Sequence, residues 1–179
     1  MKQEPKHYAG FVAMVGRPNV GKSTLTNSLI GEKIAIMSDR PQTTRNRIMC
    51  IMNTDNAQIM FLDTPGIHKP QHKLGEYMVR TAEGTLQEVD VILFIVDVTE
   101  KRGAGEEYIM ELLRKVKTPV ILVCNKIDKL QDKSKLFKIM EDYSKQYNFA
   151  AIVPVSALND GKFPGLVQEI TKHLPEGPA

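Results

Sequence analysis

The feature that most constrains this 179-residue chain is a glycine-rich run between an apolar strand pattern and a helical pattern. The run reads GRPNVGKS over residues 16–23 and matches the phosphate-loop motif G-x-x-x-x-G-K-S in full. In such a loop, backbone N–H groups and the N-terminus of the following helix converge on phosphate oxygens. Gly16 and Gly21 let the backbone wrap closely around them. This setting predicts a phosphate-binding loop rather than a chance match on a turn.

Apolar runs of strand length alternate with helical patterns along the rest of the chain. Several runs are apolar at consecutive positions, which is typical of strands covered on both faces. A first helix is predicted over residues 22–30, ending at Gly31. The sequence therefore predicts an α/β fold of the P-loop NTPase class, a mostly parallel six-stranded sheet with helices on both faces. The predicted strands cover residues 10–15, 47–52, 58–63, 90–96, 119–125 and 152–155.

Composition limits the class of protein. Hydrophobic residues make up 42% of the chain and the formal net charge is +3, which fits a globular domain with a core and only a weak attraction for anions. Every apolar run is too short to cross a membrane, although association with a membrane surface stays open. Cys50 and Cys124 lie inside apolar runs and are predicted to be buried thiols of a cytoplasmic protein.

Within the phosphate loop, two side chains have distinct expected roles. Lys22 is expected to reach the β- and γ-phosphates, and the Ser23 hydroxyl is expected to coordinate Mg²⁺. The residues expected to contact the nucleotide phosphates are Asn19, Val20, Gly21, Lys22, Ser23 and Thr24.

The run NKID at residues 125–128, directly after the fifth strand, favours guanine over adenine. Asp128 can accept two hydrogen bonds from guanine, at N1–H and the exocyclic amine. Adenine lacks that donor pair and would leave the carboxylate unpaired. Asn125 can tie this loop back to the phosphate loop, and the stem of Lys126 can cover one face of the base.

A shorter run, Ser156, Ala157 and Leu158, follows the next strand. The backbone N–H of Ala157 is expected to bind guanine O6. By itself, this run is a weak signal for guanine binding. It supports that role because it lies at the carboxyl end of a strand, where such sheets bind ligands.

Two loops are expected to bind magnesium and the γ-phosphate. Asp63 ends the third strand and can hold Mg²⁺ through a water, while the N–H of Gly66 can bond the γ-phosphate. In the loop over residues 32–46, Thr44 is favoured over Thr43 to complete the metal shell. Release of these contacts after loss of the γ-phosphate would give a switch.

Together these motifs resemble those of the translation-factor-related GTPases, and most closely the Era family. The resemblance implies a GTP- and GDP-binding switch with Mg²⁺ that hydrolyses GTP during maturation of the small ribosomal subunit and its rRNA. It covers essentially the whole chain and rests on residues 16–24, 41–47, 63–70, 125–128 and 155–158.

Era-family proteins are longer and carry a C-terminal KH-type RNA-binding domain after a segment like LPEGP. The resemblance therefore implies an isolated, monomeric GTPase domain over residues 9–174. An N-terminal tail is expected at residues 1–8, and the start of a linker at residues 175–179.

One departure concerns catalysis. Many GTPases place a glutamine after the glycine of D-x-x-G to orient the attacking water, whereas this chain has Ile67, the hydrophobic residue that the Era family has there. Some relatives use potassium held partly by the asparagine of the phosphate loop, which is Asn19 by position, and we expect Asn19 and the loop over residues 32–45 to bind it. The residues expected to act in catalysis are Lys22, Thr44, Gly66 and Asn19.

The motifs are also compatible with two other functions. One is a nucleotide-gated binding module in which hydrolysis only resets the state. The other is a related GTPase of tRNA modification or of large-subunit assembly.

Overall fold

The computed structural model of the chain describes residues 6–17, 20–30, 48–63, 84–156 and 163–177. Within these ranges residues 84–88 are also helical. The strands and helices are β1 (Tyr8–Val15), α1 (Lys22–Ile30), β2 (Ile48–Asn53), β3 (Ala57–Asp63), β4 (Val91–Asp97), α2 (Ala104–Leu113), β5 (Val120–Asn125), a 3₁₀ turn (Ile127–Lys129), α3 (Ser134–Gln146), β6 (Ala151–Pro154) and α4 (Pro164–Lys172).

The six strands form one sheet in the order β2-β3-β1-β4-β5-β6. β2 pairs with β3 in the antiparallel sense, and the other neighbours are parallel. A short turn joins β2 to β3, which allows only an antiparallel pair, whereas parallel neighbours need longer crossover connections. The predicted fold class, a mostly parallel six-stranded α/β sheet, is confirmed.

The two faces of the sheet carry separate apolar cores. Successive residues of the central strands alternate between these cores, because side chains along a strand point to opposite faces. Helices α1 and α4 pack on one face, and α2 and α3 cover the other. β4 and β5 are buried along their whole length, as the consecutive apolar residues predict.

The strand register brings three loops to one edge of the sheet. Asp97 at the end of β4 pairs with Asn125 at the end of β5, and Met14 of β1 pairs with Asp63 at the end of β3. Because these strands are parallel, the loops that follow them leave from the same edge. The described residues of the phosphate loop, the 3₁₀ turn and Asp63 at the end of β3 therefore lie at one edge.

The described part of the last segment is attached to the sheet. Pro175 accepts a hydrogen bond from the N–H of Ala9 at 3.1 Å, and the N–H of Gly177 donates to the carbonyl of His7 at 2.9 Å. The predicted division into residues 1–8, 9–174 and 175–179 stays a prediction.

Cys124 is fully buried, and burial raises the pKa of its thiol to about 12. Such a thiol is not ionised at neutral pH and is unreactive. The side chain of Cys50 lies outside the described residues. Among the helices that the structure describes, none is long and apolar enough to cross a membrane.

Candidate nucleotide-binding site

The phosphate loop connects β1 to α1, as the sequence predicts. Helix α1 begins at Lys22, and its first backbone hydrogen bond runs from the N–H of Leu25 to the carbonyl of Gly21 at 2.9 Å. The free N–H groups of a helix start and its dipole favour an anion. This end of α1 lies at the loop edge of the sheet.

Gly21 and Asn125 fix the distance between the phosphate loop and the 3₁₀ turn. The side-chain amide of Asn125 is 1% exposed and donates to the carbonyl of Val20 at 2.9 Å. Gly21 has a φ of +99°, and a Cβ built there would lie 2.3 Å from Nδ2 of Asn125. Only glycine permits both this backbone conformation and this approach. The predicted link between the two loops is confirmed.

Lys126 is held in place from both ends. Its backbone adopts the left-handed conformation, with φ 68°, and its N–H donates to Oδ1 of Asn125 at 2.8 Å. Its ammonium Nζ lies 2.8 Å from Oδ2 of Asp97. Thr99 also donates to Oδ1 of Asp97, through its N–H at 2.9 Å and its hydroxyl at 2.6 Å. The direction of the lysine stem is therefore set by a buried carboxylate at the end of β4.

The carboxylate of Asp97 stays ionised despite its burial. Burial by itself would raise the pKa of Asp97, but hydrogen bonds from Lys126 and Thr99 and the lysine charge lower it by more. The pKa therefore lies below its ordinary value. An ion pair whose buried carboxylate also accepts hydrogen bonds from Thr99 stabilises the fold more than an exposed ion pair does.

We expect Asp97→Asn to lower the free energy of unfolding by about 2 kcal/mol at pH 7, since the charge-assisted bonds to Lys126 and Thr99 are weakened. A carboxyl whose folded pKa is depressed stabilises the fold fully above its unfolded pKa of about 3.9 and loses that contribution as pH falls further. The difference between the two proteins should therefore shrink below about pH 4. Urea unfolding at pH 7 and at pH 3 measures it.

Asp55→Asn, in the exposed β2–β3 turn, is the matched control and should change stability little at either pH. A difference between wild type and Asp97→Asn that is as large at pH 3 as at pH 7 would contradict the role of the ionised carboxylate.

Asp128 is positioned by a residue that follows the neighbouring strand. The hydroxyl of Ser156, which is 4% exposed, donates to Oδ1 of Asp128 at 2.7 Å. Ser156 follows β6, and Asp128 lies in the 3₁₀ turn after β5. The carboxylate is thus oriented at the loop edge of the sheet, on the same side as the phosphate loop.

Two side chains of this edge were not predicted from the sequence. One is Asp97, the partner of Lys126, although an acidic residue that ends a buried strand is a signal that could have identified it. Arg17 lies within the phosphate loop, and its guanidinium forms ion pairs with Glu100 and Glu106. No local pattern connects these positions.

The other predicted site residues lie partly or wholly outside the described residues. The structure describes the backbone of Ser23 and Asp63 but not their side chains. Their contacts, and those of the residues outside, stay predictions. The predicted residues that lie outside are Asn19, Thr44, Gly66, Ile67, Ala157 and Leu158.

The family is shown by a model described as "50S ribosome-binding GTPase", which matches residues 11–126. The match runs from β1 through the phosphate loop to the second residue of the run at 125–128. This chain belongs to that GTPase family. The phosphate loop and the first two residues of the run at 125–128 lie within the matched range.

Individual proteins show which members of this family the chain is similar to. GTPase Era of Staphylococcus haemolyticus is 56% identical over 173 residues, which is 97% of this chain. An Era variant of Aquifex aeolicus solved with GDP and AlF₄⁻ is 44% identical, with a TM-score of 0.78, and is matched over 96% of this chain and 58% of that one. Era solved with MgGDPNP and nucleotides 1506–1542 of 16S ribosomal RNA is 43% identical, with a TM-score of 0.80, over 97% of this chain and 59% of that one.

The predicted resemblance to the Era family is confirmed by these comparisons. The chain spans 58% of the length of the curated Era proteins that it matches.

Proposed function

We propose that this chain binds GTP with Mg²⁺, hydrolyses it, and serves as a nucleotide switch in maturation of the small ribosomal subunit. The observation that carries the proposal is the hydrogen bond between Asn125 and the carbonyl of Val20. It joins the loop of Asp128 to the loop of Lys22 at one edge of the sheet. One purine nucleotide can then be held by its base at one loop and by its phosphates at the other.

Guanine specificity is assigned to the carboxylate of Asp128. Ser156 donates to Oδ1 and fixes the plane of the carboxylate, which then accepts from the N1–H and exocyclic amine of the base. The stem of Lys126, held by Asp97, covers one face of the ring. We assign the contact to O6 to the N–H of Ala157, with Ser156 and Leu158 as its neighbours in the loop.

Phosphate binding is assigned to the loop and the start of α1. Lys22 begins the helix, where its ammonium and the helix N–H groups meet the β- and γ-phosphates. Residues 19–24 supply the remaining contacts. The N–H of Gly66 is assigned to the γ-phosphate, so loss of that group would release its loop.

The residues at this edge fit magnesium. Ser23 lies in the first turn of α1, Asp63 ends β3 in register with Met14, and Thr44 is assigned to the same shell. Hydroxyl and carboxylate oxygens are the ligands that Mg²⁺ prefers. When bound, the ion neutralises charge between the β- and γ-phosphates.

We further propose that water positioning is weak in this GTPase and that potassium assists it. Ile67 cannot hydrogen-bond the attacking water, so Lys22, Thr44, Gly66 and Asn19 carry catalysis. Asn19 would hold K⁺, whose charge replaces that of an arginine finger. Slow intrinsic turnover follows, since a GTPase that lacks such help is slow.

The proposed role in maturation of the small ribosomal subunit rests on the similar proteins. The family description names the 50S subunit, but the solved Era complex holds 16S ribosomal RNA, and the 56% identity to an Era protein favours the small subunit. The domain is proposed to act as a monomer in the cytoplasm, with peripheral membrane association as a further proposal.

We expect multiple-turnover phosphate release from GTP to require Mg²⁺, to be faster in potassium than in sodium buffer, and to be stimulated by small ribosomal subunits. The physical reason is that Ile67 cannot orient the attacking water, so a cation or a partner has to supply positioning and charge. Phosphate release is measured for the chain alone and with small or large subunits, in each buffer.

The same assay separates the alternatives. Equal rates in sodium and potassium would refute the potassium site alone. Tight GTP binding with no turnover under any condition would favour a nucleotide-gated binding module. Stimulation by large subunits only would favour large-subunit assembly.

A further inference from the structure

Arg17 connects the phosphate loop to helix α2. Its Nη1 lies 3.2 Å from Oε1 of Glu106 and 3.4 Å from Oε2 of Glu100. Glu106 stands in the first turn of α2, 89 residues away in the sequence. The hydrogen bond and charge of Glu106 raise the pKa of the Arg17 guanidinium above its ordinary value.

Glu106 is an uncommon carboxylate because only 7% of its side chain is exposed. Its Oε2 accepts the N–H of Gly103 at 3.3 Å, which caps its own helix, and its Oε1 accepts from Arg17. A buried carboxylate needs both hydrogen bonds and an opposite charge to offset the cost of its burial. Arg17 supplies that charge.

Helix α2 has a glycine where the arginine crosses it. A Cβ built on Gly105 would lie 2.7 Å from Cδ of Arg17 and 2.8 Å from its Nε. Glycine is a poor helix residue, so its presence in this turn is explained by the arginine packed against it. A Cβ at that position would therefore require Arg17 to move.

The end of α2 that holds Arg17 is itself anchored. Arg102 donates from Nε to Oδ2 of Asp142 in α3 at 2.8 Å and also forms an ion pair with Glu107. The stretch from residue 97 to residue 106 therefore contacts the base loop through Asp97 and the phosphate loop through two glutamates. Arg17 is therefore held by a segment whose own position is fixed by contacts to α3.

We propose that Glu106 is a positioning residue which, through Arg17, holds the phosphate loop in its nucleotide-binding conformation. The inference rests on the proposed function of that loop as the phosphate site. A loop fixed before binding loses less freedom when the nucleotide arrives, so affinity rises and release slows. By linkage, bound nucleotide strengthens the contact to α2.

The test measures release of a fluorescent GDP analogue from the 179-residue chain after chase with unlabelled GDP. Glu106→Gln keeps an acceptor for Gly103 but loses the charge, and Arg17→Ala loses the guanidinium. Each is expected to release nucleotide about tenfold faster, the size of one charge-assisted hydrogen bond. The double variant should be no faster than either single, since both remove the same contact.

Glu111→Gln is the matched control, because Glu111 lies on the same helix and pairs only with Arg114 among the described residues. It should release at the wild-type rate. Gly105→Ala keeps both charges but displaces Arg17, so it should speed release as the two charge variants do, although alanine favours a helix over glycine. A role of Gly105 in helix stability alone would instead predict release at the wild-type rate or slower.

Wild-type release from Glu106→Gln would overturn the proposal, and so would single effects that multiply in the double variant. Lower unfolding temperatures with unchanged release would assign the pair to stability alone and also overturn it. If the wild-type chain bound no GDP, the proposed function itself would fail, and this inference with it. The two failures are therefore distinguishable.

Discussion

Replacing Asp128 by asparagine is expected to weaken GTP binding by about a hundredfold or more and to create binding of xanthosine triphosphate. The carboxylate can accept two hydrogen bonds from guanine, whereas an amide presents one acceptor and one donor. That donor faces the exocyclic amine of guanine but suits the carbonyl of xanthine. Competition of each triphosphate against a fluorescent GDP analogue measures the change.

The matched control is Asp132→Asn. Asp132 is exposed and accepts a 2.7 Å hydrogen bond from the hydroxyl of Ser134, so its chemistry is similar to that of Asp128 with Ser156. Loss of guanine preference in both variants, or equal binding of ATP and GTP by the wild type, would show that Asp128 does not read the base.

The second large effect is expected at Gly21. We expect Gly21→Ala to lower the free energy of unfolding by about 2–4 kcal/mol, the sum of left-handed strain and a lost buried hydrogen bond. Alanine at a φ of +99° is strained, and its Cβ would displace the amide of Asn125 from Val20. Because that amide joins the two loops, GDP binding should weaken as well. Urea unfolding and GDP titration measure both.

Gly165→Ala in α4 is the control, since a Cβ there meets nothing within 4 Å. It should leave stability unchanged or raise it by up to about 1 kcal/mol, because alanine favours a helix over glycine. Gly21→Ala unfolding at the same urea concentration as the wild type would contradict the proposed contact.

Much of the fold could be predicted because its signals are local. The apolar runs of β4 and β5 mark strands buried on both faces, and helix α1 spans Lys22–Ile30 as predicted. The observed strand ends differ from the predicted ones by one or two residues: β6 is Ala151–Pro154 instead of residues 152–155. Such boundaries depend on which backbone groups find partners in the neighbouring strand, and local sequence does not specify those partners.

The residues of the site also divide into those that local sequence predicts and those that it does not. The phosphate loop and the run at residues 125–128 were identified because each is a contiguous motif, and parallel strands place both at one edge. The side chains that form hydrogen bonds and ion pairs with these motifs could not be predicted from local sequence. A carboxylate after a strand can be satisfied equally well by water, by a turn or by a distant cation.

By itself, the sequence of this chain predicted the mostly parallel α/β sheet, the phosphate loop and Asp128 as the residue that would recognise guanine. Only the tertiary structure decided that Ser156 orients Asp128, that Asp97 holds Lys126 and that Glu106 restrains Arg17. The physical reason is distance along the chain: the first and last of these pairs are 28 and 89 residues apart. Side chains so far apart meet only after the sheet has fixed its register.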